Sequence, residues 1–200
     1  MKHLISTTFF FLGLVLAGSS TAQTNFNCAT CHGAELEGNM SIQAPQLAGM
    51  EPWYMKRQLE NFKAGIRGSD PQDIHGMTMR PMAAMLSDAD IDAVIEWVGT
   101  FDAASPANTV TGDTSKGANA YRSCAACHGA QGEGNATFNA PSLAGQNDWY
   151  LVNQLKSFKA GHRGSNAQDT YGKMMIQMAG SLANDQAIND VVSYINTLGQ

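Results

Sequence analysis

Apolar side chains recur at helical spacing along several stretches of this 200-residue chain. Tyr54, Gln58, Leu59 and Phe62 share one helix face, and Gly65 follows as a stop signal. Tyr150, Gln154, Leu155 and Phe158 repeat that face ahead of Gly161. Ile91, Val94, Ile95 and Val98 form a second stripe, and Ser87 with Asp90 supplies an N-cap-like start for it. Ile188, Val191, Val192 and Ile195 mirror this stripe. Residues 116–123 predict a further helix running into Cys124, whereas a stub of five residues precedes Cys28 once the leader assigned below is removed. No run alternates with the period of a strand, so the pattern predicts an all-α chain.

The stripes come in pairs because the chain repeats itself. Cys124 follows Cys28 by 96 residues, and the same offset links Ala44-Pro45 to Ala140-Pro141 and Trp53-Tyr54 to Trp149-Tyr150. After Leu86 and Leu182 the offset grows by one residue. The period is too long for a solenoid and reads as tandem duplication of one small domain. The expected division is a leader at 1–22, a first domain at 23–101, a linker at 102–112 and a second domain at 113–200. The linker combines small residues with Pro106 and Gly112. Each half has roughly 80–90 residues, a small unit for an apolar core, so a bonded group acting as part of the core would help.

The leader opens with Lys2, continues as an apolar run over 4–17 and ends in small residues up to Ala22. That run is short for a membrane span and reads as a secretory signal cleaved after Ala22, which implies a periplasmic protein. No second long apolar stretch follows, so no membrane span is expected in the mature chain. The net charge of -5 is unevenly spread: residues 23–105 carry 11 acids against 5 bases, and residues 106–200 carry 6 of each. This offers no basic patch for nucleic acid.

The chemistry lies in Cys28-Ala29-Thr30-Cys31-His32 and Cys124-Ala125-Ala126-Cys127-His128. C-x-x-C-H is the attachment signature of c-type haem: both sulfurs bond to the porphyrin, and the adjacent His is placed to ligate its iron. The two copies use all four cysteines of the chain. A disulfide framework would not call for a His after each pair, a zinc site would not explain the repeat, and a thioredoxin-like motif would sit in a βαβ pattern. Two covalent haem c groups are expected, on Cys28 and Cys31 and on Cys124 and Cys127, with His32 and His128 as axial ligands. Of 11 methionines, the pairs that recur in both halves of this segment are Met79 with Met175 and Met82 with Met178. Met40, Met50, Met55, Met77, Met85 and Met174 lack counterparts and read as packing or surface residues. His75 aligns with Tyr171 and His162 with Ile66, so the duplication supports neither as a ligand.

With these motifs in hand, the chain resembles the di-haem cytochrome c4 family, two tandem class I cytochrome c domains. The resemblance rests on paired C-x-x-C-H-G, A-P-x-L-A-G, W-Y…Q-L…F-K-A-G and M-x-x-M-A-x-x-L, and spans nearly the whole mature chain. It implies Met79 and Met175 as the sixth ligands, eight residues before Ser87 and Ala183. It also implies that the carbonyls of Pro45 and Pro141 accept from the ligand histidines. Trp53, Tyr54 and Arg67, with Trp149, Tyr150 and Arg163, become candidates to hold haem propionates. The implied role is a soluble electron carrier. Its donor would be a quinol-oxidising complex or a dehydrogenase, its acceptor a terminal oxidase or reductase. The alternatives are a di-haem enzyme, peroxidase-like or a sulfur oxidoreductase, and the cytochrome subunit of a periplasmic dehydrogenase.

Overall fold

The structure is a computed structural model that describes residues 27–199, so the leader assigned to 1–22 lies outside the described residues. The first half contains α1 (Ala29–His32), α2 (Pro52–Lys63), α3 (Ile74–Ala84) and α4 (Asp88–Val98). The second contains α5 (Thr114–His128), α6 (Asp148–Ala160), α7 (Thr170–Gly180) and α8 (Asp185–Ile195). No strand occurs among the described residues, and the fold is all-α as the pattern predicts. Two isolated bridges, Asn39 to Ala44 and Asn135 to Ala140, close matching loops in the two halves.

The predicted helices form for the expected reasons. Pro52 opens α2, where a missing N–H costs nothing. Ser87 and Asp90 close a full capping box on α4: the Asp90 amide donates to Ser87 Oγ at 3.1 Å, and the Ser87 amide to Asp90 Oδ2 at 2.8 Å. The stripe of α4 is buried through Ile91, Val94 and Val98, and that of α8 through Ile188, Val191, Val192 and Ile195. Among the unpaired methionines, Met55 is core and Met40 is exposed.

Helices α3 and α7 are not apparent from periodicity. Ala83 and Ala179 are buried, but Met77 and Met82 on α3 and Met174 and Met178 on α7 remain exposed, so the large apolar side chains do not mark one face. What starts them is a cap: the Asp73 and Asp169 carboxylates accept from the Gly76 and Gly172 amides at 3.1 and 2.8 Å. Helix α3 continues through Pro81.

Helix α5 packs along α8, and Gly117 permits the approach: a Cβ there would lie 2.0 Å from the Asp190 carbonyl oxygen. The connection between the halves, residues 102–113, contains no helix but is not loose. The buried Asp148 carboxylate accepts from the Thr109 amide (2.6 Å), the Val110 amide (2.8 Å) and the Thr109 hydroxyl (2.6 Å). Asn196 of the chain's end donates to the same group at 3.0 Å.

Burial would raise the Asp148 pKa, but these donors outweigh it and hold the carboxyl below its ordinary range. Its contribution to stability is therefore complete above about pH 4, the unfolded-chain value, and is lost as pH falls through the lower folded value. Asp148→Ala should cost about 2–4 kcal/mol at neutral pH in guanidinium unfolding of the haem-loaded protein. The difference from the parent should narrow on acidification below about pH 4.

Candidate haem sites and the seam between them

Each attachment motif sits on the last turn of a helix, α1 in the first half and α5 in the second. None of the four cysteines is paired in a disulfide, and Cys28, Cys124 and Cys127 are half-buried and Cys31 exposed. Spacing of three puts both sulfurs of a pair on one side of that turn. His32 and His128 end their helices at 5% and 6% exposure. His32 Nδ1 lies 2.7 Å from the Pro45 carbonyl oxygen, and His128 Nδ1 lies 2.7 Å from that of Pro141. A carbonyl can only accept, so each Nδ1 carries the proton and each Nε2 keeps a free lone pair. Burial pushes both imidazole pKa values down, against the opposing pull of the proline carbonyls, which favours the neutral ring that a metal requires.

A cavity of about 490 Å³ adjoins the second motif, lined by Cys124, Cys127, His128 and Met175 and walled by Leu155 and Phe158. Glu51 and Arg57 reach into its lining from the first half. Met79 and Met175 are half-buried. Met82 and Met178 are more exposed, at 48% and 37%. Met174 and Met178 also line the second cavity. His75 is exposed, and His162 Nδ1 sits 3.6 Å from Asp70 of the other half.

Between the halves, two arginines cross. Arg67 donates to Gln58 of its own half (2.7 Å) and to Tyr150 (3.2 Å) and Gln154 (3.1 Å) of the other. Arg163 donates to Gln154 of its own half and to Tyr54 and Gln58 of the other, both at 3.0 Å. Each guanidinium also lies 4.5 Å over a phenylalanine ring of its own half, Phe62 or Phe158. Trp53 and Trp149 stand edge-on to the tyrosines, at 5.8 and 6.2 Å between ring centres. Burial would raise the Tyr150 phenol pKa, yet the Arg67 and Arg163 charges pull it down.

Both arginines are buried, at 8% and 7% exposure, and neither forms a salt bridge among the described residues. The Nε of each has no hydrogen-bond partner among the described residues. Two buried cations with unused donors call for anions. Haem carries carboxylates, so together with the thiols, the imidazole and the apolar wall the residues present fit that group.

A second set of crossed contacts frames the seam. Gln46 N donates to Asn147 Oδ1 at 2.7 Å, and in the matching place Ser142 N donates to Glu51 Oε1 at 2.7 Å. Arg57 donates to Asn139 through Nη1 to Oδ1 (2.9 Å) and through Nη2 to the carbonyl (3.0 Å), while Asn153 donates to Gln43. Gly38 and Gly134 make room: a Cβ on Gly38 would lie 2.3 Å from Asn147 Oδ1, and one on Gly134 2.7 Å from Glu51 Oε1.

The cytochrome c family model matches residues 16–102 and 114–199; the first match begins inside the stretch assigned to the leader. The chain belongs to the di-haem cytochrome c4 family. Cytochrome c4 of Azotobacter vinelandii is 32% identical, with 86% of this chain and 84% of that protein covered. The thiosulfate dehydrogenase electron acceptor of Stutzerimonas stutzeri (strain A1501) is 34% identical, with 86% and 79% covered. The structure of Acidithiobacillus ferrooxidans cytochrome c4 matches with a TM-score of 0.69 at 27% identity, covering 86% of this chain and 98% of that one. As a family member, the chain binds two haem c groups covalently through Cys28 and Cys31 and through Cys124 and Cys127, and acts as an electron carrier.

Sequence reasoning singled out Arg67, Tyr54, Arg163 and Tyr150 but not their crossing, and it passed over Gln154, Glu51 and Arg57 as seam residues. A signal was available in Gln58 and Gln154, a polar residue at the same place on the apolar face of both repeats.

Gly38→Ala and Gly134→Ala should each destabilise the protein by about 1–3 kcal/mol, since both positions combine a positive φ with a blocked Cβ. Hydrogen exchange checks the cause. Gly38→Ala should speed exchange at the Gln46 amide, and Gly134→Ala at the Ser142 amide.

Proposed function

We propose that this chain is a periplasmic carrier that moves single electrons between respiratory donors and a terminal oxidase or reductase. Its irons are each held between a histidine and a methionine, His32 with Met79 and His128 with Met175. The observation that carries the reading is that both halves keep a complete and matching set. Each has two attachment thiols, an imidazole fixed by a proline carbonyl at 2.7 Å, and a half-buried methionine at the same place in the repeat.

Bound haem supplies a one-electron iron couple. Pro45 and Pro141 hold the ligand rings in one tautomer and orientation, and so limit the rearrangement that accompanies a change of charge. The thioethers of Met79 and Met175 favour the reduced state relative to a second imidazole. Arg67, Arg163, Tyr54 and Tyr150 would hold the propionates, with Trp53 and Trp149 bracing the tyrosines. Held by His32 with Met79 and by His128 with Met175, the irons would keep no open position for a substrate, which separates this reading from a peroxidase-like enzyme or a sulfur oxidoreductase.

The relative described as a thiosulfate dehydrogenase electron acceptor favours a dehydrogenase as donor over a quinol-oxidising complex. Rapid mixing of the oxidised protein with each candidate donor separates the two: the physiological one reduces it at a rate that saturates with donor concentration.

The axial assignment is tested by Met79→Ala and Met175→Ala. Each should remove the methionine-to-iron charge-transfer band of one ferric haem and leave the other. Retention of both bands in both variants would move the assignment to Met82 and Met178.

A further inference from the structure

The crossed contacts at the seam match in geometry but not in charge. The first half's loop receives Asn147 on the Gln46 amide and Asn153 on Gln43, both neutral. The second half's loop receives Glu51 on the Ser142 amide and Arg57 on Asn139. Glu51 and Arg57 also line the second cavity. Arg67 with Arg163 and Asp73 with Asp169 recur in the repeat, so these two pairs do not tell the two sites apart. The charges crossing the seam do.

Their placement is well defined. Glu51 binds the amide of Ser142, the residue after the proline whose carbonyl takes His128 Nδ1. Its carboxylate therefore stands on the imidazole side of the second site. Arg57 is fixed at the rim by its two bonds to Asn139 and by the rings of Trp53, Tyr54 and Tyr171, at 5.2, 5.3 and 4.7 Å. Reduction adds one electron to a site, so a nearby anion opposes it and a nearby cation assists it. Both effects are larger in a partly dry cavity than in water.

We propose that Glu51 and Arg57 are positioning residues by which the first half sets the midpoint potential of the second haem, Glu51 lowering it and Arg57 raising it. The matching places at the first half's loop are held by Asn147 and Asn153, which carry no charge. Two centres built on one repeat thus become different rungs for an electron. The inference rests on two bound haems and on the carrier reading, not on the choice of methionines.

The test is a spectroelectrochemical titration of the haem-loaded full chain. Glu51→Gln keeps an acceptor for the Ser142 amide and removes the charge; it should move one of the two redox waves to higher potential. Arg57→Gln should move the same wave to lower potential, and Arg57→Lys, which keeps the charge, should leave it near the parent value. Each shift should change the ferrous-to-ferric ratio at fixed potential by about threefold to tenfold, tenfold being 59 mV for a one-electron couple. Asn147→Glu should lower the other wave. Unmoved waves, both waves moving together, or shifts of one sign from Glu51→Gln and Arg57→Gln would overturn the proposal. Charge-transfer bands recorded on the same samples separate this outcome from failure of the histidine–methionine ligation.

Discussion

Burying two guanidinium groups at one seam is the constraint to which the rest of the molecule answers. Arg67 and Arg163 are nearly sealed from water, yet the oxygens that meet their Nη groups belong to neutral glutamines and tyrosines. Neutral acceptors reduce the cost of taking a cation out of water but do not cancel it. The tyrosines come from the opposite half, so each arginine is satisfied only when the halves are docked. Among the described residues the Nε donors are left over as well, so the seam keeps positive charge that neutral acceptors do not cancel. One electrostatic requirement thus helps to fix the docking of the halves.

Docking two copies of one fold about such a seam resembles an isologous dimer held within a single chain. Contacts come in crossed pairs: Gln46 with Asn147 against Ser142 with Glu51, and Arg57 with Asn139 against Asn153 with Gln43. In a true dimer the two members of a pair are identical by symmetry. A fused duplicate is free of that limit, because a substitution in one copy does not appear in the other. The seam keeps the shape of the pairs and changes their charge. The connection adds mass action: Asp148 anchors it to the second half through Thr109 and Val110, so the halves meet at high effective concentration.

The last helix of each half was legible in the sequence because its stripe carries its burial on one face. Ile91, Val94 and Val98 are spaced for it and are buried, as are Ile188, Val191 and Ile195. Helices α2 and α6 form where expected but bury other side chains too, Met55 on α2 and Trp149, Leu151 and Val152 on α6. The attachment motifs were legible because the chemistry needs those residues at that spacing. Helices α3 and α7 were not, since Met77, Met82, Met174 and Met178 are exposed and an aspartate cap does what a stripe would otherwise do. The seam was not legible for a different reason. Gln58 and Gln154 read as members of a helix face and Arg67 and Arg163 as candidates to hold propionates, and only the second copy of the fold supplies the partners they meet across the seam.

The two halves also differ in how much they can rely on their own packing. The apolar cluster of the second half gathers Tyr121 of α5 with Leu151, Val152 and the stripe of α8, and Gly117 lets α5 settle onto α8. In the first half the described residues before His32 form a single helical turn, and the cluster is smaller: Leu36, Ala48, Met55, Val94 and Val98. A core that small supplies little stabilisation once chain entropy is counted. The first half therefore leans more heavily on its bound group and on the seam. The half with the smaller core is also the one that extends Glu51 and Arg57 toward its neighbour. The contacts that make up for its packing are the ones that carry charge to the second site, so at this seam stability and tuning draw on the same side chains.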